Sequence, residues 1–207
     1  MNKNKFKFLK FLNEYRSIEY DLQYVQAILG DAHLEFEVRY RLWCVESDVD
    51  LEELNKKNQR KVDMIFVETQ SHEIKQGLAL REFKEEKHTE SKNLKDIYKA
   101  IAKKLHPDAL KMDDPRRAEY EEDFKRASVA NEEGRWGELF DIVDRHGVPL
   151  KEYKEAIECL KFDIKRIKAE LEKEKSTYSW LHHDAESDQQ RENVIKRFLG
   201  HLFGWKG

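Results

Sequence analysis

Residues 8–43 read FLKFLNEYRSIEYDLQYVQAILGDAHLEFEVRYRLW. Apolar side chains recur at Phe8, Leu12, Tyr15, Ile18, Leu22, Val25, Leu29, Ala32, Phe36 and Tyr40, ending at Trp43. Steps of three or four residues keep them on one face of an α-helix. The phase runs through Gly30, so the spacing predicts one continuous helix, weakened there by about 1 kcal/mol relative to alanine. Asp48 or Asp50 then supplies an N-cap, with Glu53 near the third helical position after Asp50. A second helix is expected from Leu51 to about Lys87, with Leu54, Val62, Ile65, Phe66, Leu78, Leu80 and Phe83 as its apolar set. Its stripe is less regular, because Asn58, Thr69 and His72 fall where a clean seam is apolar. Two arms of about 55 Å joined by the short turn Ser47–Asp50 predict an antiparallel hairpin or coiled coil.

The C-terminal third repeats the pattern. Gly147 and Pro149 separate two helices. Leu150, Tyr153, Ile157, Leu160, Ile164, Ile167 and Leu171 then alternate steps of three and four, the cleanest heptad seam in the chain. Val194, Ile195, Phe198, Leu199, Leu202, Phe203 and Trp205 form a short amphipathic tail beside Lys196, Arg197 and Lys206. The basic residues are few for membrane adsorption, so packing on the helical arms, a client or a second copy is the favoured reading. The expected fold is all-α: a long hairpin, an inserted helix pair and a C-terminal heptad helix. In chain order the segments are 1–87, 88–146 and 147–207.

Composition agrees. Charged residues make up 39% of the 207, with only 3 prolines and 8 glycines, which excludes a sandwich or barrel of many short strands. The net charge of −3 makes no demand for nucleic acid or an anionic membrane. No apolar run is long enough to span a bilayer, and no signal-peptide core follows Met1. Cys44 and Cys159 lie far apart without a CxxC spacing, so neither a disulfide framework nor zinc is signalled, and a cytoplasmic location is expected. His182-His183-Asp184 lacks a third ligand cluster and reads as an exposed polar loop, with Trp180 and Leu181 anchoring it to a groove. No assembled enzyme motif appears, and no cofactor or metal is expected.

Between the arms lies Leu94-Lys-Asp-Ile-Tyr-Lys-Ala-Ile-Ala-Lys-Lys-Leu-His-Pro-Asp108. Leu94, Ile97, Tyr98, Ile101, Ala102 and Leu105 share one face at helical spacing; Lys95, Lys99, Lys103 and Lys104 crowd the other. Residues 92–111 carry a net +4 and residues 113–124 a net −4, a way of orienting a charged partner. Pro107 cannot donate an N–H and pushes His106 out of the helical region, so the helix ends there. Lys103 and Lys104 complement the negative end of its dipole, and Asp108 is placed to accept backbone bonds in an Asx-type turn. Asp113-Asp114-Pro115 starts the next helix, with acid at the cap and proline at the first position.

This pattern resembles helix II and the loop of J-domains, the defining module of DnaJ-type co-chaperones. Leu94, Tyr98-Lys99, Ile101-Ala102, Lys104, Leu105 and His106-Pro107-Asp108 match in register. Phe124, Ala127 and Ala130 resemble the packing side of helix III, although Asn131 stands in place of the usual tyrosine. Gly134-Arg135-Trp136 follows where a basic closing segment is usual. The opening Tyr-x-x-Leu helix is absent; Leu78, Leu80 and Phe83, in about 78–87, are the expected substitute. The resemblance spans about 78–143 and is similar to a subgroup in which a J-domain interrupts long coiled-coil helices. It implies a regulator of a DnaK-type chaperone ATPase, not an enzyme. Lys95, Lys99, Lys103 and Lys104 would dock, His106, Pro107 and Asp108 would trigger hydrolysis, and Tyr98, Ile101, Leu105 and Phe124 would hold helices II and III together. A client taken by the arms or tail and a second copy are the further partners. Two other classes compete: a helical scaffold with a J-like corner that engages no ATPase, and nucleic-acid binding through the lysines, which the adjoining −4 segment disfavours.

Overall fold

The computed structural model describes residues 3–56, 92–106 and 114–206. These residues contain helices and no strand, as the periodicity predicts. Helix α1 is Lys3–Glu46, α2 Lys92–Leu105, α3 Arg117–Glu133, α4 Trp136–Arg145, α5 Tyr153–Lys175, α6 Tyr178–His183 and α7 Asp188–Phe203. α1 is unbroken over 44 residues and passes through Gly30. The Ser47–Asp50 turn ends it, with Asp48 at positive φ. Asp50 Oδ1 accepts the N–H groups of Glu52 and Glu53 at 2.9 and 3.0 Å, capping a helical segment over 51–56.

Contacts group the chain into two compact units, where sequence order gave three consecutive segments. The first comprises α1 as far as Asp21, α2, α3, α4 and α5 as far as Ala169. Its centre is α4, buried at Trp136, Gly137, Glu138, Leu139, Phe140, Ile142 and Val143. Gly134, at φ +68°, ends α3 in the left-handed conformation that glycine adopts without Cβ strain. From α5, buried Asp163 caps the start of α4: its Oδ2 accepts the Gly137 N–H at 2.7 Å. Gly137 also admits the Tyr15 ring, since a Cβ there would lie 2.2 Å from it. Phe8 meets Phe140 and Tyr153 edge-on at 5.7 and 5.6 Å. Phe8 opposite Tyr153, Phe11 opposite Lys161 and Glu14 opposite Lys168 show α1 and α5 running parallel here. The predicted seam is buried at Ile157, Leu160, Ile164 and Ile167.

The second unit comprises α1 from Leu22, residues 47–56, the end of α5, α6 and α7. Thr177 caps α6 through its hydroxyl, and Ser187 with Gln190 forms a capping box on α7. Phe36, Cys44, Val194, Ile195, Leu199 and Phe203 make its core, bordered by Tyr40, Trp43, Phe198 and Trp205. The amphipathic tail therefore packs on α1. Trp180 is buried with its ring edge-on to Tyr24. His33 Nδ1 lies 2.5 Å from Ser179 Oγ and pins α6 to α1.

The α1 stripe was paired with an equal second arm, most of which lies outside the described residues; among those residues the stripe meets α4 and α5 in the first unit and α6 and α7 in the second. The part outside them begins at residue 57 and includes Val62, Ile65, Phe66, Leu78, Leu80 and Phe83. One expectation needs correction. His182 belongs to no exposed loop. It is buried on α6 with its ring 5.4 Å from Phe36, and burial lowers its pKa.

Candidate functional site

α2 has the two faces that its spacing predicts. Ile101 and Leu105 are fully buried, Tyr98 and Ala102 half-buried. α3 lies antiparallel against it, with Tyr98 level with Ser128 and His106 with Phe124. Ser128 Oγ donates to the Phe124 carbonyl at 3.0 Å, so the Tyr98 hydroxyl, 3.1 Å away, donates to Ser128. Ala127 and Ala130 are fully buried, while Phe124 is half-buried. The expected packing set is thus brought together, apart from Leu94, whose side chain lies outside the described residues. Ser128 was not singled out in the sequence. Its place one turn after Phe124, opposite a helix bearing Tyr98, is the signal that would have found it.

Lys95, Lys99 and Lys103 are exposed on the other side of α2. Lys99 Nζ stands 3.7 Å from Asp96, a loose surface pair worth little in water. Lys104 behaves differently: its amine donates to the main-chain carbonyl of His146, just beyond α4. That bond fastens α2 to the end of α4. His106 follows the last turn of α2, its N–H donating to the Ala102 carbonyl at 2.9 Å. Its imidazole is exposed and meets the Phe124 ring edge-on at 5.4 Å. Pro107 and Asp108 lie outside the described residues.

The start of α3 differs slightly from expectation. Asp114 and Pro115 form the turn before the helix, which begins at Arg117. Asp114 accepts from the Arg116 guanidinium and N–H, and these bonds hold its carboxyl down to about 2.

Behind the lysine face runs a chain of charge pairs that sequence periodicity did not reveal. Asp123, 2% exposed, accepts from Arg126 at 3.1 Å, Arg145 at 3.0 Å and His146 Nε2 at 2.7 Å. Arg145 continues to Asp141 at 2.6 Å, and Asp141 to Arg16 of α1 at 2.7 Å. On the other side Arg126 reaches Glu138 at 3.1 Å, which also accepts from Arg135. α1, α3 and α4 are thereby tied by alternating charges.

Glu119, Asp123 and His146 hold ligand-type atoms within 4.8 Å of one another. A divalent cation does not fit: Arg126 and Arg145 already occupy the Asp123 carboxylate, and two guanidiniums would repel it. Among the described residues no helix is long and apolar enough to cross a membrane. What the region offers is an exposed cationic helix face on a rigid support, suited to recognition of an acidic surface.

Compared with known proteins, the chain matches no family model, no curated protein and no solved structure.

Proposed function

We propose that this protein is a J-domain co-chaperone, binding a DnaK-type chaperone ATPase through α2 and the His106-Pro107-Asp108 corner and stimulating its ATP hydrolysis. The observation that carries the reading is the division of α2. Tyr98 is bonded to α3 and Ile101 and Leu105 are buried, while Lys95, Lys99 and Lys103 stay exposed beside an exposed His106. A partner bearing an acidic groove meets three lysines at fixed spacing, with the corner at their end. Lys104 is reassigned from docking to support, because its amine is spent on His146. The protein performs no bond chemistry; it biases a conformational equilibrium in its partner.

Two free, buried cysteines are consistent with a reducing, cytoplasmic setting. Burial pushes the Cys159 thiol up to about 12, which leaves it unreactive. The scaffold reading draws on one observation, the tethering of α2 and α3 to α4 through Lys104 and Asp123, which makes the helix pair part of a larger unit.

Steady-state ATP hydrolysis by a DnaK-type ATPase, with and without the protein, separates the readings. The co-chaperone reading expects stimulation that His106→Gln abolishes with the fold intact. Absence of stimulation by the unaltered protein favours the scaffold.

A further inference from the structure

His146 bonds two helices to the end of a third. It stands just beyond α4, where its N–H donates to the Ile142 carbonyl at 3.0 Å and the chain turns at Gly147, φ +58°. A carbonyl at a helix C-terminus has no partner inside the helix. That of His146 accepts the Lys104 amine from the last turn of α2, and the negative end of the α4 dipole suits an ammonium there. The imidazole Nε2 donates to Asp123 Oδ2 of α3 at 2.7 Å. The Tyr120 ring, one turn earlier on α3, lies edge-on to the imidazole at 4.8 Å. The imidazole and the carboxylate are 4% and 3% exposed, so the bond between them is shielded from water.

Both bonds fall at one end of the α2–α3 pair, the end that carries the corner. Lys104 is two residues before His106. Asp123 adjoins Phe124, whose ring meets the His106 imidazole edge-on at 5.4 Å. The Tyr98–Ser128 bond joins the same two helices about two turns away from His106. A bond at that distance leaves the helix ends free to splay; a bridge from Lys104 to Asp123 through His146 removes that freedom.

We infer that His146 is the positioning residue of the corner: its carbonyl holds the end of α2, its imidazole holds α3, and together they set where His106 stands relative to Lys95, Lys99 and Lys103. The consequence for a partner rests on the co-chaperone reading; the bridge itself belongs to this chain alone. His146 lies beyond the stretch of J-domain resemblance, so the corner is oriented by a residue of the larger unit.

Two measurements on the full chain test the inference. His146→Leu removes the bond to Asp123 and keeps the carbonyl, whereas His146→Gln retains a side-chain N–H for the carboxylate. Lys104→Met, at the surface, breaks the bridge from its other side and serves should His146→Leu fail to fold. In the protein alone, His146→Leu and Lys104→Met should speed exchange of the His106 amide about tenfold and shift the His106 ring resonances away from their position beside Phe124. His146→Gln should restore both, and the Trp43 and Trp205 indole signals should stay unchanged. With a DnaK-type ATPase, His146→Leu should lower maximal stimulation about fivefold while the half-saturating concentration changes less than about twofold. Partial unfolding gives the opposite split, because a smaller competent fraction weakens apparent affinity and leaves the maximum intact. An unaltered His106 amide and ring in both variants overturns the inference, as does a variant that changes only half-saturation. A native chain that stimulates no ATPase refutes the co-chaperone reading, and the exchange result then decides the bridge by itself.

Discussion

In the first unit the helices meet across a buried carboxylate; in the second they meet across rings. Asp123 gathers Arg126, Arg145 and His146, and Asp163 caps α4 from a neighbouring helix. Phe36, Phe198, Tyr178, Trp43 and Trp205 instead stack edge-on and tilted, at 5.0 to 5.5 Å between Phe36 and Phe198, Tyr178 and Phe198, and the two tryptophans. Buried charge pairs contribute little net stability over well-packed apolar groups, but losing one partner is costly. Aromatic packing is less directional and tolerates substitution in proportion to the area lost. The unit carrying α2 is therefore the one in which geometry is fixed by polar bonds. That suits the docking role proposed for α2.

Breaking the carboxylate should have the largest effect. Asp123→Ala leaves buried His146 without its carboxylate and takes one of two acidic partners from each of Arg126 and Arg145. It is expected to cost about 4 kcal/mol, read by urea unfolding. Residue-resolved hydrogen exchange should show the loss in α3 and α4 first. The matching change in the second unit is Leu199→Ala, which empties a fully buried site for about 3 kcal/mol. Its loss of protection should centre on α7. Gly137→Ala follows at about 2 kcal/mol, because the new methyl group collides with the Tyr15 ring and forces α1 away from α4; thermal unfolding measures it. If Asp123→Ala proves as mild as a surface change, the contrast between the units fails.

The smallest effect sharpens the comparison through pH. His182 is buried among rings, and desolvation lowers its pKa, so the unfolded chain binds its proton more readily than the folded one. Stability is then complete above the unfolded value of about 6.5 and falls as the pH drops below it. Unfolding midpoints between pH 7 and pH 5 should decline, and His182→Gln should flatten that decline.

Helices whose burial is one-sided were legible from spacing alone. The α1 stripe is buried from Phe8 to Phe36 and the α5 seam from Ile157 to Leu171, and Tyr98, Ile101 and Leu105 turn inward as their positions on α2 demand. Of α4 only the stop at Gly147 was read, because its ten residues make fewer than three turns, although Trp136, Leu139, Phe140 and Val143 keep helical spacing among Glu138, Asp141, Asp144 and Arg145. Partner choice was also hidden. Periodicity tells which face is buried but not against what, so the α1 stripe was assigned to the nearest arm in sequence and not to α5 and α7. The fates of Lys104 and His182 depend on such long-range neighbours. An amine on a distant carbonyl and an imidazole beneath Phe36 leave no local trace in the chain.

The account turns on the exposed α2 lysines being read by an ATPase. Single-turnover ATP hydrolysis by a DnaK-type protein, titrated with the native chain and with the Lys99→Glu, Lys103→Glu double variant, tests it directly. Stimulation by the native chain that weakens as salt rises and falls at least tenfold in the double variant is the expected result. Equal stimulation by both proteins, or none by either, contradicts it.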